Sequence, residues 1–138
     1  MPSAIQARSA AVMVAQVPLN VLLENQDAVR NENTRYLAAL EQRYRHEPID
    51  ARHAAVTEQA LIAVSEDRAL AVIRPKAWSA RCRSRNCRID AVFNDYDDAQ
   101  EWANFFLTRT GGILAQAELS VRLDGNGTTR VLIFGVRQ

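Results

Sequence analysis

Residues 1–17 show no usable period, apolar positions recur at threes, fours and sevens from Leu19 to Ser65, and from Ala77 onward the period changes to two, with one further helical stretch between two alternating segments. The first pattern is that of helices with one buried face, the second that of strands with one buried side. Leu22, Val29, Tyr36, Leu37, Leu40 and Tyr44 fall on one helical face and predict a helix over 19–45, entered at Pro18, whose fixed φ suits a first turn. Between Glu24 and Arg35 only Ala28 and Val29 are apolar, so this part can bury little and reads as a solvated stalk. Pro48 ends the helix, because it disfavours helical geometry at Glu47 and carries no N–H. Asp50 is placed to cap a second helix, with Ala54, Ala55, Thr57, Glu58, Leu61, Ile62, Val64 and Ser65 as its core stripe, fading near Asp67. Residues 69–74 fit either a helix end or a short strand, closed by Pro75.

In the alternating half, Trp78, Ala80 and Cys82 take turns with Ser79 and Arg81, and Cys87, Ile89, Ala91 and Phe93 with Arg88, Asp90 and Val92. Folding these runs about 83–86 sets Cys82 opposite Cys87, Ala80 opposite Ile89 and Trp78 opposite Ala91, which puts every apolar partner on one side of the sheet. Asn94 or Asp95 then caps a third helix, whose first-turn Asp97 and Asp98 suit the positive end of the helix dipole. Its buried stripe is Ala99, Trp102, Ala103 and Phe106, with Phe105 on the flank and Gly111-Gly112 as a left-handed stop. Leu119, Val121 and Leu123 alternate up to Asp124-Gly125-Asn126-Gly127, whose glycines permit a tight turn, and 130–136 returns as the last strand.

The expected fold is α+β. N-terminal helices lead into a hairpin, helix, hairpin unit that forms a four-stranded antiparallel sheet with helices packed on one face. Three regions follow: 1–18, a weakly structured leader; 19–45, the polar stalk; and 46–138, the compact domain.

Composition fits a globular chain of 138 residues, 48% apolar and 24% charged. Ala10 to Val17 is far short of the ~20 apolar residues that span a bilayer, and it reads as a faint export signal or a weak helix. The net charge of +1 conceals six basic residues and no acid among Arg74, Lys76, Arg81, Arg83, Arg85 and Arg88 and the positions between them. Asp90, Asp95, Asp97, Asp98 and Glu101 follow closely, so the two patches can satisfy each other or the solvent.

The chemistry-bearing residues are few. Cys82 and Cys87 are the only cysteines. Opposed residues of an antiparallel pair bring Cα atoms to ~4.5–5.5 Å, within reach of a disulfide. The competing states are two free thiols, a metal site, which would want further ligands, and a redox pair, which normally shows a C-x-x-C spacing. His46 and His53, with Glu47 and Asp50, match no metal-ligand spacing. Ser84 has neither a nearby histidine nor a glycine elbow, and the five glycines form no phosphate loop. Asp97 and Asp98 are explained by their place at a helix start. No catalytic residue, metal or cofactor is expected.

The surface most able to bind is the arginine hairpin, Arg81, Arg83, Arg85 and Arg88. These side chains could meet an anionic protein, an envelope polymer, nucleic acid with Trp78 as a stacking platform, or simply the neighbouring acids. Alternation, however, turns Trp78 toward the core.

Glu47-Pro48-Ile49-Asp50, Glu58, and the run Arg81-Cys82-Arg83-Ser84-Arg85-Asn86-Cys87-Arg88-Ile89-Asp90 resemble a pattern in exported proteobacterial proteins of unknown function, with a helix starting at E-P-x-D and a paired C-R-S-x-x-C-R segment. The resemblance covers residues 47–138, and the cysteine decapeptide is its specific part. His53 stands where that pattern has an aromatic. The resemblance implies an envelope location and no activity. The expectation is therefore a non-enzymatic periplasmic or envelope domain that binds another protein and is stapled by one disulfide, its export signal or anchor lying outside this chain. The helix 19–45 could also join copies of the chain. The alternative is a nucleic-acid-binding module using 81–88.

Overall fold

The computed structural model describes residues 19–138, with side chains described at Ala28 and from Glu32 onward, so the leader expected over 1–18 lies outside the described residues. The chain divides into two units, Met1–Leu40 and Glu41–Gln138. Helix α1 (Leu19–His46) has a polar middle, and its side chains from Glu32 to Arg35 are exposed. Its last turn, from Glu41, belongs to the second unit.

The second unit continues with α2 (Ala51–Ser65), β1 (Ala77–Cys82), β2 (Asn86–Phe93), α3 (Tyr96–Arg109), β3 (Leu114–Leu123) and β4 (Thr129–Arg137). The four strands form one antiparallel sheet in the order β1-β2-β4-β3, so the two hairpins join through β2 and β4. The fold is α+β, as the change of period predicts. The first hairpin adopts the expected register, Cys82 with Cys87, Ala80 with Ile89 and Trp78 with Ala91.

One face of the sheet carries the core. Cys87, Ile89, Ala91 and Phe93 of β2 and Val131 and Ile133 of β4 are buried there against Ala54 and Leu61 of α2 and Ala99, Trp102, Ala103 and Phe106 of α3. Trp102 stacks on Phe106 with ring centroids 4.7 Å apart and meets Phe93 tilted at 5.5 Å. Of the broad stripe expected on α2, Ala54 and Leu61 reach the core, while Ala55 is exposed.

The helix ends follow from local chemistry. Asp50 caps α2 by accepting the His53 N–H, and Asp95 caps α3 by accepting the Asp97 N–H. The glycine stop expected after α3 is corrected. Neither Gly111 nor Gly112 has a positive φ, and the helix closes at Thr110, whose N–H bonds the Phe106 carbonyl and whose own carbonyl takes the N–H groups of Ile113 and Leu114. In the second hairpin turn only Gly127 needs glycine's freedom, at φ +84. Residues 69–74 are neither helix nor strand. They form successive turns in which Leu70 N–H bonds Asp67 O, Ile73 N–H bonds Leu70 O, and the Asp67 side chain accepts the Ala69 N–H.

Candidate functional site

Cys82 and Cys87 are joined, with Cα atoms 4.0 Å apart, and both are buried. Among the described residues no thiol is left free, and no group of three metal-ligating side chains is found. The bond closes a four-residue loop, 83–86, in which the Arg83 N–H bonds the Asn86 carbonyl at 2.8 Å.

That curl makes the loop a receptor for a carboxylate, and Glu47 fills it. Glu47 Oε1 accepts from the Ser84 hydroxyl and the Asn86 N–H, each at 2.8 Å, and from the Arg85 N–H, while Oε2 accepts from the Asn86 side-chain amide. Burial pushes the Glu47 carboxyl up, but the Arg85 N–H, the Asn86 amide and N–H and the Ser84 hydroxyl together outweigh it and hold the group below its usual value near 4.5. Ser84 N–H also bonds Pro48 O at 3.0 Å, and Arg83 reaches Glu47 O at 3.3 Å. From the other side, Arg137 donates its N–H to Arg85 O at 2.7 Å and its Nε to Ser84 O. The loop is thus tied to the α1–α2 connection on one flank and to the end of β4 on the other.

A second glutamate serves the strand itself. Glu58 of α2 accepts the Cys82 N–H at 2.8 Å. Asp50, the third acid of the motif, caps its helix and takes His53 Nδ1 at 2.6 Å, a hydrogen bond that lowers the Asp50 carboxyl. The residues on which the resemblance rests therefore meet in space: Glu47 and Glu58 bind the cysteine segment, and Asp50 fixes the start of the helix that carries Glu58. Sequence reasoning gave Asp50 its capping role and put Glu58 on the core-facing stripe of its helix, but found neither glutamate's partner. The signal it lacked was proximity, since Glu47 lies 37 to 39 residues from its partners.

The four candidate arginines divide. Arg83 lies 5.0 Å over the Tyr44 ring, and Arg88 pairs with Glu41 at 2.8 Å and with Asp90 at 3.5 Å. These two are half-buried and engaged in the fold. Arg81 and Arg85 are exposed, and of Arg85 it is the backbone that holds the loop. The neighbouring acids thus share the work differently than proximity in sequence implies: Asp90 and the distant Glu41 meet Arg88, while Asp95 caps its own helix, with Asp97 and Asp98 in its first turn. His46 bonds the Gln42 carbonyl at 2.8 Å and Ser84 binds Glu47, so both have structural partners. Trp78 is half-buried and packs against the core.

Beside the hairpin lies a cleft of about 750 Å³ between α2, the turns at 66–75 and β1. Ile62, Leu70, Trp78 and Ala80 give it an apolar floor, and Glu58, Glu66, Arg74 and Arg81 stand around it. Among the described residues, no helix is long and apolar enough to cross a membrane. No family model, no curated protein and no solved structure matches the chain.

Proposed function

We propose that this chain is a non-enzymatic protein-binding domain of the periplasm or cell envelope, using the arginine hairpin as one contact. The observation that carries this reading is the disulfide-closed loop, fixed on both flanks, which presents the exposed Arg85 side chain on a braced backbone next to the exposed Arg81 of β1. A disulfide persists where the surroundings are oxidising, which supports the compartment. A rigid support spares the ordering cost that weakens binding by flexible side chains. Nucleic acid is the weaker reading, because Arg83 and Arg88 are occupied by Tyr44, Glu41 and Asp90 and because Trp78 belongs to the core side. Few cations remain to neutralise phosphates.

Two measurements test the proposal. Alkylation and intact mass of the protein from its native host are expected to show both thiols blocked until a reductant is added. A photo-crosslinking side chain at position 85 is expected to capture one dominant envelope protein, with the adduct reduced by Arg81→Glu. Adducts with nucleic acid, or free thiols, would remove the reading.

A further inference from the structure

β1 is an edge strand, and the register shows which of its backbone groups look outward. Residues that exchange hydrogen bonds with β2 alternate with residues that do not. The Arg83 N–H to Asn86 O bond makes 83 and 86 a bonded pair, so Arg81 with Arg88, Ser79 with Asp90 and Ala77 with Val92 are bonded pairs as well. Cys82 with Cys87, Ala80 with Ile89 and Trp78 with Ala91 are then the non-bonded pairs. The close Cα approach of the cysteines, 4.0 Å, agrees, since non-bonded pairs sit nearer (~4.5 Å) than bonded ones (~5.5 Å). The peptide groups of Trp78, Ala80 and Cys82 consequently point away from the sheet.

Glu58 confirms this direction by meeting the Cys82 N–H from outside. Among the described residues no strand lies beyond β1 at Trp78 and Ala80, and their outward N–H and C=O groups border the cleft. The opposite edge differs: β3 is broken by a bulge between Ala115 and Glu118, with Gln116 at φ +51. That bulge blunts only the start of β3, which pairs without a break from Glu118 to Leu123; what sets the Trp78–Cys82 edge of β1 apart is the cleft beside it.

We propose that the cleft between β1 and α2 binds an extended segment of another polypeptide, which adds as a strand to the Trp78–Ala80 edge and sets alternate apolar side chains on Ile62, Leu70 and Trp78. Backbone groups supply the affinity and the floor supplies the selectivity, the usual division in strand addition. The volume suits a short peptide. Glu58 limits the site, because by taking the Cys82 N–H it ends the free edge after Ala80. The charged residues of the lining, Glu58 and Glu66 against Arg74 and Arg81, balance and select no net charge, so recognition rests on extended backbone and apolar side chains. This inference deepens the protein-binding reading by adding a second, peptide-specific contact beside the arginine loop.

The test uses the disulfide-intact full chain and linear nine-residue random peptides displayed on phage, the best binders then being synthesised. Bound peptides are expected to slow amide exchange at Trp78 and Ala80 at least tenfold and to carry alternating apolar residues. Ala80→Pro removes an outward N–H and no ladder bond, a change that edge strands accept, and is expected to weaken binding at least tenfold. Ile62→Glu, which places a charge on the cleft floor, is a second variant with the same expected loss and no demand on the strand. Peptides that bind both variants as well as wild type and leave those amides unprotected would overturn the proposal, as would recovery of no peptide. Amide protection that rises with protein concentration alone would assign the edge to a second copy and overturn it too. Crosslinking at position 85 is independent of these outcomes, so a failed cleft and a failed binding domain are told apart.

Discussion

The two hairpins of the sheet are built from similar alternating sequences but are held in different ways. The first, β1–β2, places β1 at an edge and binds its closed end by a disulfide, by Glu47 and Arg137 on the loop and by Glu58 on Cys82. The second, β3–β4, has an open turn in which the Asp124 N–H bonds the Thr128 carbonyl and Asn126 accepts from Thr128. Its order comes from the central strand, where Thr129, Val131, Ile133 and Gly135 are all buried. β3 contributes less, for Leu119 and Leu123 remain 37% and 69% exposed. A strand sandwiched between neighbours is specified by burial, whereas a short edge strand gains from ties made at its end.

That contrast can be broken most strongly at the sulfur bridge. Replacing both cysteines by alanine is expected to cost about 2 to 4 kcal/mol, the usual range for a lost disulfide, seen as a lower midpoint in urea unfolding. The matched strain in the second hairpin is Gly135→Ala, since a Cβ there would meet Leu114 Cδ1 at 2.9 Å and Leu114 Cβ at 3.3 Å. Overpacking of this order costs about 1 to 3 kcal/mol, measurable in the same titration.

Glu47→Gln sharpens the comparison through pH. A carboxyl held below its ordinary value contributes stability that is fully present above that value, near 4.5, and is lost as pH falls through the lower folded value. Wild type is expected to lose stability on acidification below about pH 4.5, and the glutamine variant to lose less over that window while being weaker at pH 7 by about 1 to 2 kcal/mol. Gly127→Ala, at φ +84, is expected to cost about 1 kcal/mol and to leave the first hairpin's amide protection unchanged. Arg85→Glu is the smallest, within about 0.5 kcal/mol, because the loop uses that residue's backbone and leaves its side chain in solvent.

The first hairpin and its register were legible because folding about 83–86 sets Cys82, Ala80 and Trp78 opposite Cys87, Ile89 and Ala91 with all six on the core side, whereas the first residues of β3, from Leu114, carried no such signal. Helix starts at Asp50 and Asp95 were legible because a cap is a local hydrogen bond. What escaped was contact across the chain. Glu47 gives no periodic signal, and the pairing of Arg88 with Glu41 joins residues 47 positions apart. The end of α3 misled for a local reason: a glycine pair invites a left-handed turn, yet Thr110 already satisfies the last carbonyls. The cleft depends on the turns at 66–75, within which residues 69–74 fit helix and strand equally in sequence and are neither.

The receptor for Glu47 also imposes a chronology on the growing fold. Donors from the consecutive residues Ser84, Arg85 and Asn86 converge on one oxygen only once the segment is curled, and the curl is held by the sulfur bridge and by the Arg83 N–H on the Asn86 carbonyl. Thiol oxidation takes seconds to hours, far longer than hairpin closure. The sulfur bridge would be the slower of the two closures that shape this loop, and until it forms the seat for Glu47 rests on the Arg83–Asn86 backbone bond alone.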